Sequence, residues 1–271
     1  MDTFDIVIIG GGAAAASAAL TAKNRGKSVA AVANAVETTA LWKAELISNY
    51  PGTPDMPGKE LASAMRAQLE NAATVINGRA LSVMPLGDTF GVAVENEFYM
   101  AKTVIIAAGI TREKLYRGES EFLGRGVSYC ATCDGMLYRG KKVALIGSSD
   151  EAKRDGDFLG SIGCEVVRLE GSVQYEISGG MKADTVSFSG ESIGVDGVFI
   201  IKDTVSVSHL IPGIEYRDGG IVTDGAMATS VRGVFAAGDC RGKPFQLAKA
   251  VGDGNLAALS ACEYIDGMGK Q

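Results

Sequence analysis

Residues 4–15 read FDIVIIGGGAAA, an apolar run that stops at three glycines and continues into alanines. Residues 4–9 are typical of a buried β-strand, and residues 13–25 are small, apolar and helix-favouring. A second apolar run follows at residues 28–33. The order strand, glycine turn, helix, strand predicts a dinucleotide-binding unit, because the glycines let the backbone approach a pyrophosphate and the helix N-terminus supplies N–H donors.

One part of this fingerprint is missing. An acidic side chain is expected at the end of the second strand, where it would bind a ribose hydroxyl, but Asn34 stands there. The amide oxygen of Asn34 would accept the same hydrogen bond, and Glu37 is the alternative substitute. The competing interpretation is a glycine-rich turn that binds nothing.

Two later strand ends resemble the first. Residues 103–109 form a buried run that ends in small residues, and residues 234–239 repeat that design as VFAAGD. Asp239 is well placed to bind a sugar-alcohol hydroxyl of an extended cofactor, with a helix N-cap as its alternative role. A final helix is expected from Gln246 to Ser260, and its first N–H groups would bind a ring carbonyl.

Residues 130–135 read CATCDG, and cysteines at this spacing either close a disulfide or supply half of a zinc site. Zinc would need two further ligands. The remaining candidates are scattered along the chain: Cys164, His209, Cys240 and Cys262. Asp134, a proton donor to a leaving thiolate, and the small residues between the cysteines favour a redox dithiol of Cys130 and Cys133 over inert thiols.

Composition excludes several classes of protein. No apolar run approaches the roughly 18–20 residues of a membrane span. The acidic N-terminus has no secretory signal pattern, and five cysteines do not form an extracellular disulfide framework, so we expect a cytoplasmic protein. A net charge of −6 argues against binding to nucleic acid or anionic membranes.

Together these motifs resemble the low-molecular-weight thioredoxin reductases, two-domain members of the flavin disulfide reductases. The matching segments cover nearly the whole chain in the family's order: residues 9–12 (IGGG), 48–52 (SNYPG), 107–109 (AAG), 126–135 (GVSYCATCDG), 233–239 (GVFAAGD) and Gln246. The resemblance implies a bound FAD, a homodimer and a redox-active disulfide in the central domain.

The same resemblance implies a role for each site residue. Cys133 would face the flavin, Cys130 would attack the disulfide of a thioredoxin-like protein, and Asp134 would donate or accept the proton. The FAD site would be formed by the glycine turn, the strand ends and the start of the last helix: Gly10, Gly12, Ala13, Ala14, Ala15, Asn34, Asn49, Ala108, Gly109, Gly238, Asp239, Gln246, Leu247 and Ala248.

The chain departs from the family in the half that would bind NADPH. A second strand–glycine turn begins with residues 141–147 (KKVALIG), but Ser149 replaces its second glycine, and Asp150 and Glu151 add negative charge. Where the family has a histidine and paired arginines for the 2′-phosphate, this chain has only Arg168, followed by Glu170. These changes predict a lost nicotinamide site.

A protein electron donor such as ferredoxin is then expected, as in the ferredoxin-dependent flavin thioredoxin reductases, which this chain resembles. Ferredoxins are acidic, so docking requires basic residues. Two clusters are candidates, with ordinary solvated charge as the alternative: Arg241, Lys243 and Lys249, and Arg139, Lys141 and Lys142. An NAD(P)H-dependent reductase with a diverged site and a non-enzymatic flavin redox sensor remain the other candidate functions. Cys240 is interpreted as a passive residue rather than a redox one.

The predicted fold class is α/β, with two Rossmann-like, doubly wound domains. The FAD-binding domain would be discontinuous, formed by residues 1–110 and 211–271. Residues 111–210 would form a compact inserted domain that carries the redox dithiol and the degenerate pyridine-nucleotide site.

Overall fold

The computed structural model describes residues 2–53, 55–109, 116–129, 131–201 and 207–268, with only the backbone of Cys133, Glu151, Ser208 and His209. The chain divides into two compact units, Met1–Thr111 with Ser206–Gln271, and Arg112–Val205. Each unit contains helices and a sheet with parallel strands, which confirms the α/β class. The assignment of flavin binding to one unit and dithiol chemistry to the other stays a prediction.

In chain order, the strands of the described residues are β1 (Thr3–Ile9), β2 (Val29–Ala33), β3 (Thr74–Asn77), β4 (Ala80–Leu86), β5 (Thr89–Val94), β6 (Glu97–Ile106), β7 (Val127–Ser128), β8 (Lys142–Ile146), β9 (Glu165–Leu169), β10 (Glu176–Gly179), β11 (Ala183–Phe188), β12 (Glu191–Gly194), β13 (Gly197–Ile200), β14 (Tyr216–Arg217), β15 (Gly220–Ile221) and β16 (Val234–Ala236). The helices are α1 (Ala13–Asn24), α2 (Gly58–Ala72), α3 (Glu119–Phe122), α4 (Ala131–Asp134), α5 (Asp150–Ser161), α6 (Val207–Leu210) and α7 (Leu247–Met268). None of these helices combines the length and the apolar character that a membrane span requires.

The first unit is built on one sheet in the order β3-β2-β1-β6-β5-β4, with β16 also paired to β6. The strands β3, β2, β1, β6 and β16 are parallel, and β4 and β5 are antiparallel neighbours. Every residue of β2 is buried, because both faces of the sheet are covered. In β1, Ile6 and Ile8 pack in the core with α1 and α7, whereas Val7 and Ile9 pack with residues of β4, β5 and α6.

The second unit has a parallel sheet in the order β7-β13-β8-β9 and a separate antiparallel sheet, β10-β11-β12. Helix α5 follows β8 and packs on this parallel sheet with Leu159, which is fully buried. The strand–turn–helix order of the first unit is therefore repeated here on a smaller scale.

Helices α1 and α7 approach each other closely because their contact consists of residues with little or no side chain. Ala14, Ala15, Ala18 and Ala257 are buried in this contact. A Cβ on Gly254 of α7 would stand 2.1 Å from the carbonyl oxygen of Ala14. Backbone cannot yield to such an overlap without moving one helix.

We expect Gly254→Ala to lower the free energy of unfolding by about 1–3 kcal/mol, because the added methyl overpacks this contact. Gly252→Ala is the matched control in the same helix, since a Cβ there meets no atom within 4 Å in the part of the chain that the structure describes. That change should stabilise the protein by about 0.5–1 kcal/mol through helix propensity. Urea unfolding of both variants measures the difference, and equal stability would contradict the packing account.

Candidate functional site

The glycine turn between β1 and α1 forms an open cradle. Gly12 is the N-cap of α1, no side chain caps the helix, and its first turn contains no acidic residue. A Cβ on Gly12 would meet no atom of the described residues within 4 Å, so these residues leave the space beside this backbone open. N–H donors and the positive end of the helix dipole face this space, which suits a pyrophosphate.

The turn is positioned by the strand next to β1. Gly10 has a φ of +134°, and a Cβ there would stand 2.1 Å from the carbonyl oxygen of Ala107 and 3.2 Å from the nitrogen of Ala108. Only glycine allows this approach. Two of the motifs recognised in the sequence therefore meet at the carboxyl ends of β1 and β6, where open parallel sheets bind their ligands.

A third predicted segment, residues 234–239, joins the same place. Gly238 lies against Ala14, with its Cβ position 3.0 Å from the Cβ of that alanine. The neighbouring Asp239 has a buried Oδ1 with no hydrogen-bond partner among the described residues. Burial raises the pKa of the Asp239 carboxyl despite the nearby Lys249 ammonium. A cofactor hydroxyl would satisfy this buried acceptor, so the residues present fit an extended cofactor such as FAD.

The carboxylate of Asp253 in α7 fixes the Gly238 turn. Its Oδ2 accepts hydrogen bonds from the Gly238 N–H at 3.1 Å and from Lys249 Nζ at 2.9 Å, and it pairs with Arg241 Nη1 at 2.8 Å. Burial alone would raise the pKa of Asp253, but the hydrogen bonds from Lys249 and Arg241 outweigh it and lower that pKa. Sequence reasoning missed Asp253, since nothing local marks it as more than a helix residue.

This cluster changes the expected docking surface. Arg241 was expected to be a surface cation, but its side chain is only 18% exposed, and its Nε also donates to Thr223 Oγ1 at 2.7 Å. Lys249 is likewise mostly buried and donates to the Gly238 carbonyl oxygen at 3.1 Å. The prediction that these two cations dock a partner is therefore wrong, because their charges are used inside the fold. Lys243 is exposed.

Two more predicted residues are brought together from distant parts of the chain. The amide Nδ2 of Asn49 donates to Oε1 of Gln246 at 3.2 Å. Gln246 directly precedes α7, which begins at Leu247 and includes Ala248. Gly109 lies three residues after β6 with a φ of +71°, and a Cβ there would meet none of the described atoms within 4 Å. The roles of these residues in FAD binding stay predictions.

A residue of α2 that the sequence gave no reason to select lies beside the end of β2. Arg66 of α2 donates from Nη1 to the backbone oxygen of Asn34 at 3.0 Å, and its Nε pairs with Glu70 at 2.7 Å. The same Nη1 lies 3.3 Å from the Cβ position of Gly11. A cation is therefore present where the fingerprint expects an acid.

The dithiol segment is described in part. Cys130 lies outside the described residues, and Cys133 is described only as backbone within α4. Asp134 ends this helix, and its Oδ2 accepts a hydrogen bond of 2.6 Å from Ser128 Oγ. Just before the dithiol, the hydroxyl of Tyr129 donates to the fully buried Glu119 at 2.8 Å. The backbone on the N-terminal side of the dithiol is thus anchored, and Asp134 is oriented.

The turn after β8 is closed on itself. Ser149 is the N-cap of α5, and its Oγ accepts the Ala152 N–H at 3.2 Å. Ser148 Oγ donates to Glu170 Oε2 at 2.8 Å and accepts the Gly171 N–H at 2.9 Å. The first of these bonds occupies an N–H in the first turn of α5, where a pyrophosphate would bind, and the others place the Glu170 carboxylate beside the turn.

Arg168, the remaining arginine expected near a 2′-phosphate, is also committed to the protein. Its Nη2 pairs with Asp157 of α5 at 2.7 Å, and its Nη1 donates to the carbonyl oxygen of Lys153 at 3.2 Å. A ligand phosphate at the end of β9 would therefore have to compete with Asp157 for the Arg168 guanidinium.

Cys240 is chemically passive, in agreement with its interpretation from sequence. It is 3% exposed, and its Sγ donates to the carbonyl oxygens of Ile106 and Ala237 at 3.3 Å. Burial raises its pKa to about 11, so almost no thiolate exists at neutral pH. Burial also raises the pKa of Cys164 and of Cys262.

The whole chain is similar to known proteins. The family described as pyridine nucleotide-disulphide oxidoreductase matches residues 4–178 and 167–254. The thioredoxin reductase of Treponema pallidum (strain Nichols) is 33% identical over 300 residues, covering 97% of this chain and 97% of that protein. A ferredoxin-flavin thioredoxin reductase from Clostridium acetobutylicum superposes with a TM-score of 0.85 at 33% identity, with both chains covered completely. A thioredoxin reductase from T. acidophilum superposes with a TM-score of 0.60 at 34% identity, covering 99% of this chain and 100% of that chain.

We expect Asp253→Asn to weaken FAD binding and to lower the free energy of unfolding by about 1.5–3 kcal/mol, because two mostly buried cations lose their partner. Asp266 lies in α7 like Asp253, and it pairs with Lys27 at an exposed position. Asp266→Asn should lower the free energy of unfolding by less than about 1 kcal/mol. Equilibrium unfolding and FAD titration of the apoprotein measure both effects.

The stability difference between the parent protein and Asp253→Asn should depend on pH. Because folding lowers the pKa of Asp253 below its ordinary 3.8, its stabilisation is complete above that value and is lost as the pH falls through the lower folded pKa. The difference in the free energy of unfolding between the parent protein and Asp253→Asn should therefore become smaller under acid conditions. A gap that widens on acidification would contradict the account.

Proposed function

The chain belongs to the pyridine nucleotide-disulphide oxidoreductase family and to the thioredoxin reductases within it, and from this premise we propose that it reduces a thioredoxin-like protein disulfide with electrons from a protein donor such as ferredoxin. FAD is the cofactor, and when bound it supplies the redox centre that exchanges electrons with the dithiol. We propose that the open turn at Gly12, the buried oxygen of Asp239 and the Asn49–Gln246 pair hold it.

The dithiol chemistry follows from the residues after β7. The thiolate of Cys130 attacks one sulfur of the partner disulfide, and the partner's other sulfur leaves as a thiolate that takes a proton. Cys133 then attacks the mixed disulfide, which releases the second partner sulfur and forms a Cys130–Cys133 disulfide. Two electrons have moved from the dithiol to the partner. Asp134, oriented by Ser128 Oγ at 2.6 Å, exchanges the proton.

The closed turn after β8 is the observation that carries the choice of donor. Ser149 Oγ caps the N–H of Ala152, and Ser148 joins Glu170 to Gly171. A pyridine nucleotide would have to break these bonds and approach the carboxylate of Glu170. The high TM-score with a ferredoxin-flavin thioredoxin reductase supports the same choice.

The exposed surface beside the dithiol supports a protein substrate. Met136 and Leu137 follow it in the 3₁₀ turn Gly135–Tyr138 and are 56% and 70% exposed. Exposed large apolar side chains at a reactive centre suit a protein partner better than a small polar substrate. Arg139 and Lys141 add positive charge to the same segment. A homodimer and a cytoplasmic location complete the proposal.

We expect negligible flavin reduction by NADPH or NADH and ready reduction by reduced ferredoxin, measured anaerobically from the flavin absorbance of the holoprotein. Lys243→Glu should slow the reduction by ferredoxin, and added salt should slow it too, because screening shortens electrostatic reach to about 8–10 Å at about 0.1–0.15 M ionic strength. Arg241→Glu is not a suitable docking probe, since that residue pairs with Asp253. Rapid, saturable NADPH oxidation coupled to thioredoxin reduction would overturn the donor assignment.

The division of roles in the dithiol is tested by trapping. In Cys133→Ser, the Cys130 thiol should form a mixed disulfide with thioredoxin that nothing resolves, seen as a reducible adduct by mass spectrometry. Cys130→Ser is the matched control and should give little adduct. A reversed pattern would mean that the two roles are exchanged.

A further inference from the structure

Arg66 lies beside the glycine turn of the first unit and has no role in the chemistry described above. Its side chain is 13% exposed, and Nη1 is held 3.0 Å from the Asn34 carbonyl oxygen and 3.3 Å from the Cβ position of Gly11. The guanidinium is therefore fixed between the glycine turn and the end of β2.

The guanidinium keeps donors for a ligand. Arginine has five N–H donors, and the contacts above use Nη1 and Nε. Among the described residues, Nη2 of Arg66 makes no hydrogen bond. The pairing carboxylate, Glu70, is 53% exposed, so water screens much of its charge.

The neutral residue at position 34 also leaves the charge of Arg66 available to a ligand. An aspartate or glutamate there, as in the usual fingerprint, would stand next to the guanidinium and neutralise it. Asn34 leaves the positive charge uncancelled on that side. The first turn of α1 also has no acidic residue, so nothing at the start of this helix opposes an anion.

We propose that Arg66 binds the pyrophosphate of the ADP half of FAD, adding a full positive charge to the N–H groups of the glycine turn. Charge-assisted hydrogen bonds from arginine to phosphate are stronger than neutral ones, and its planar fork suits phosphate oxygens. The alternative is that Arg66 only ties α2 to the end of β2. The proposal rests on FAD binding and is independent of the electron donor.

The test is titration of the apoprotein with ADP, FAD and adenosine by calorimetry. Arg66→Gln should weaken ADP and FAD binding by about 10- to 100-fold, the range of a lost charge-assisted hydrogen bond, and adenosine by less than about three-fold. The melting temperature of each apoprotein reports separately on the fold. ADP affinity within about two-fold of the parent would overturn the proposal, and so would an equal loss for adenosine.

Glu70→Gln keeps the test decisive if Arg66→Gln does not fold. It frees Arg66 from its carboxylate and removes a negative charge near the ligand, so ADP should bind about two- to five-fold more tightly. Glu60→Gln makes the same charge change at an exposed position of α2 and should leave the affinity unchanged. Unchanged or weaker ADP binding by Glu70→Gln would overturn the proposal. Because no titration needs the dithiol or a donor, failure here is distinguishable from failure of the proposed function.

Discussion

The close packing of backbone around the start of α1 is the constraint on which the first unit depends. Gly10 brings the end of β1 against Ala107, and Gly254 brings α7 against Ala14. Each contact leaves no room for a Cβ. The result is that three segments far apart in the sequence, around residues 10–14, 107 and 254, meet at one edge of the sheet, with the N-terminus of α1 open toward the cofactor site. Any side chain at these points would move the helix and the turn together.

A comparison of the two glycine turns shows which position the fold requires and which one a ligand requires. Gly10 and Gly147 occupy equivalent first positions, and each packs against a backbone oxygen of a neighbouring strand segment, Ala107 and Ile201. The second position differs. A Cβ on Gly12 would contact none of the described residues, whereas Ser149 caps its own helix. A turn can therefore keep its strand–helix geometry after the residue that admits a pyrophosphate has been replaced.

Several basic residues in both units are paired with carboxylates of the fold. In the first unit, Asp253 pairs with Arg241 and Lys249 and holds the Gly238 turn, while a buried oxygen of Asp239 has no hydrogen-bond partner in the described part of the chain. In the second, Arg168 is paired with Asp157 of α5. Cations that look alike in the sequence thus serve the fold in both units. Their availability to a partner depends on which carboxylate the fold brings near them.

Periodicity and glycine spacing were sufficient to predict the α/β class and the first strand–glycine turn–helix unit, because these depend on local backbone requirements that only a few residue types meet. The FAD cofactor was predicted from the resemblance of the motifs, in their order, to the flavin disulfide reductases. The meeting of Asn49 with Gln246, the buried role of Arg241, and the positions of Asp253 and Arg66 could not be predicted in this way. They arise from contacts between residues 12 to 197 positions apart, and no local pattern encodes such a distance. Local chemistry decided where the chain turns and what the turn can bind; packing between distant elements decided which charges remain free.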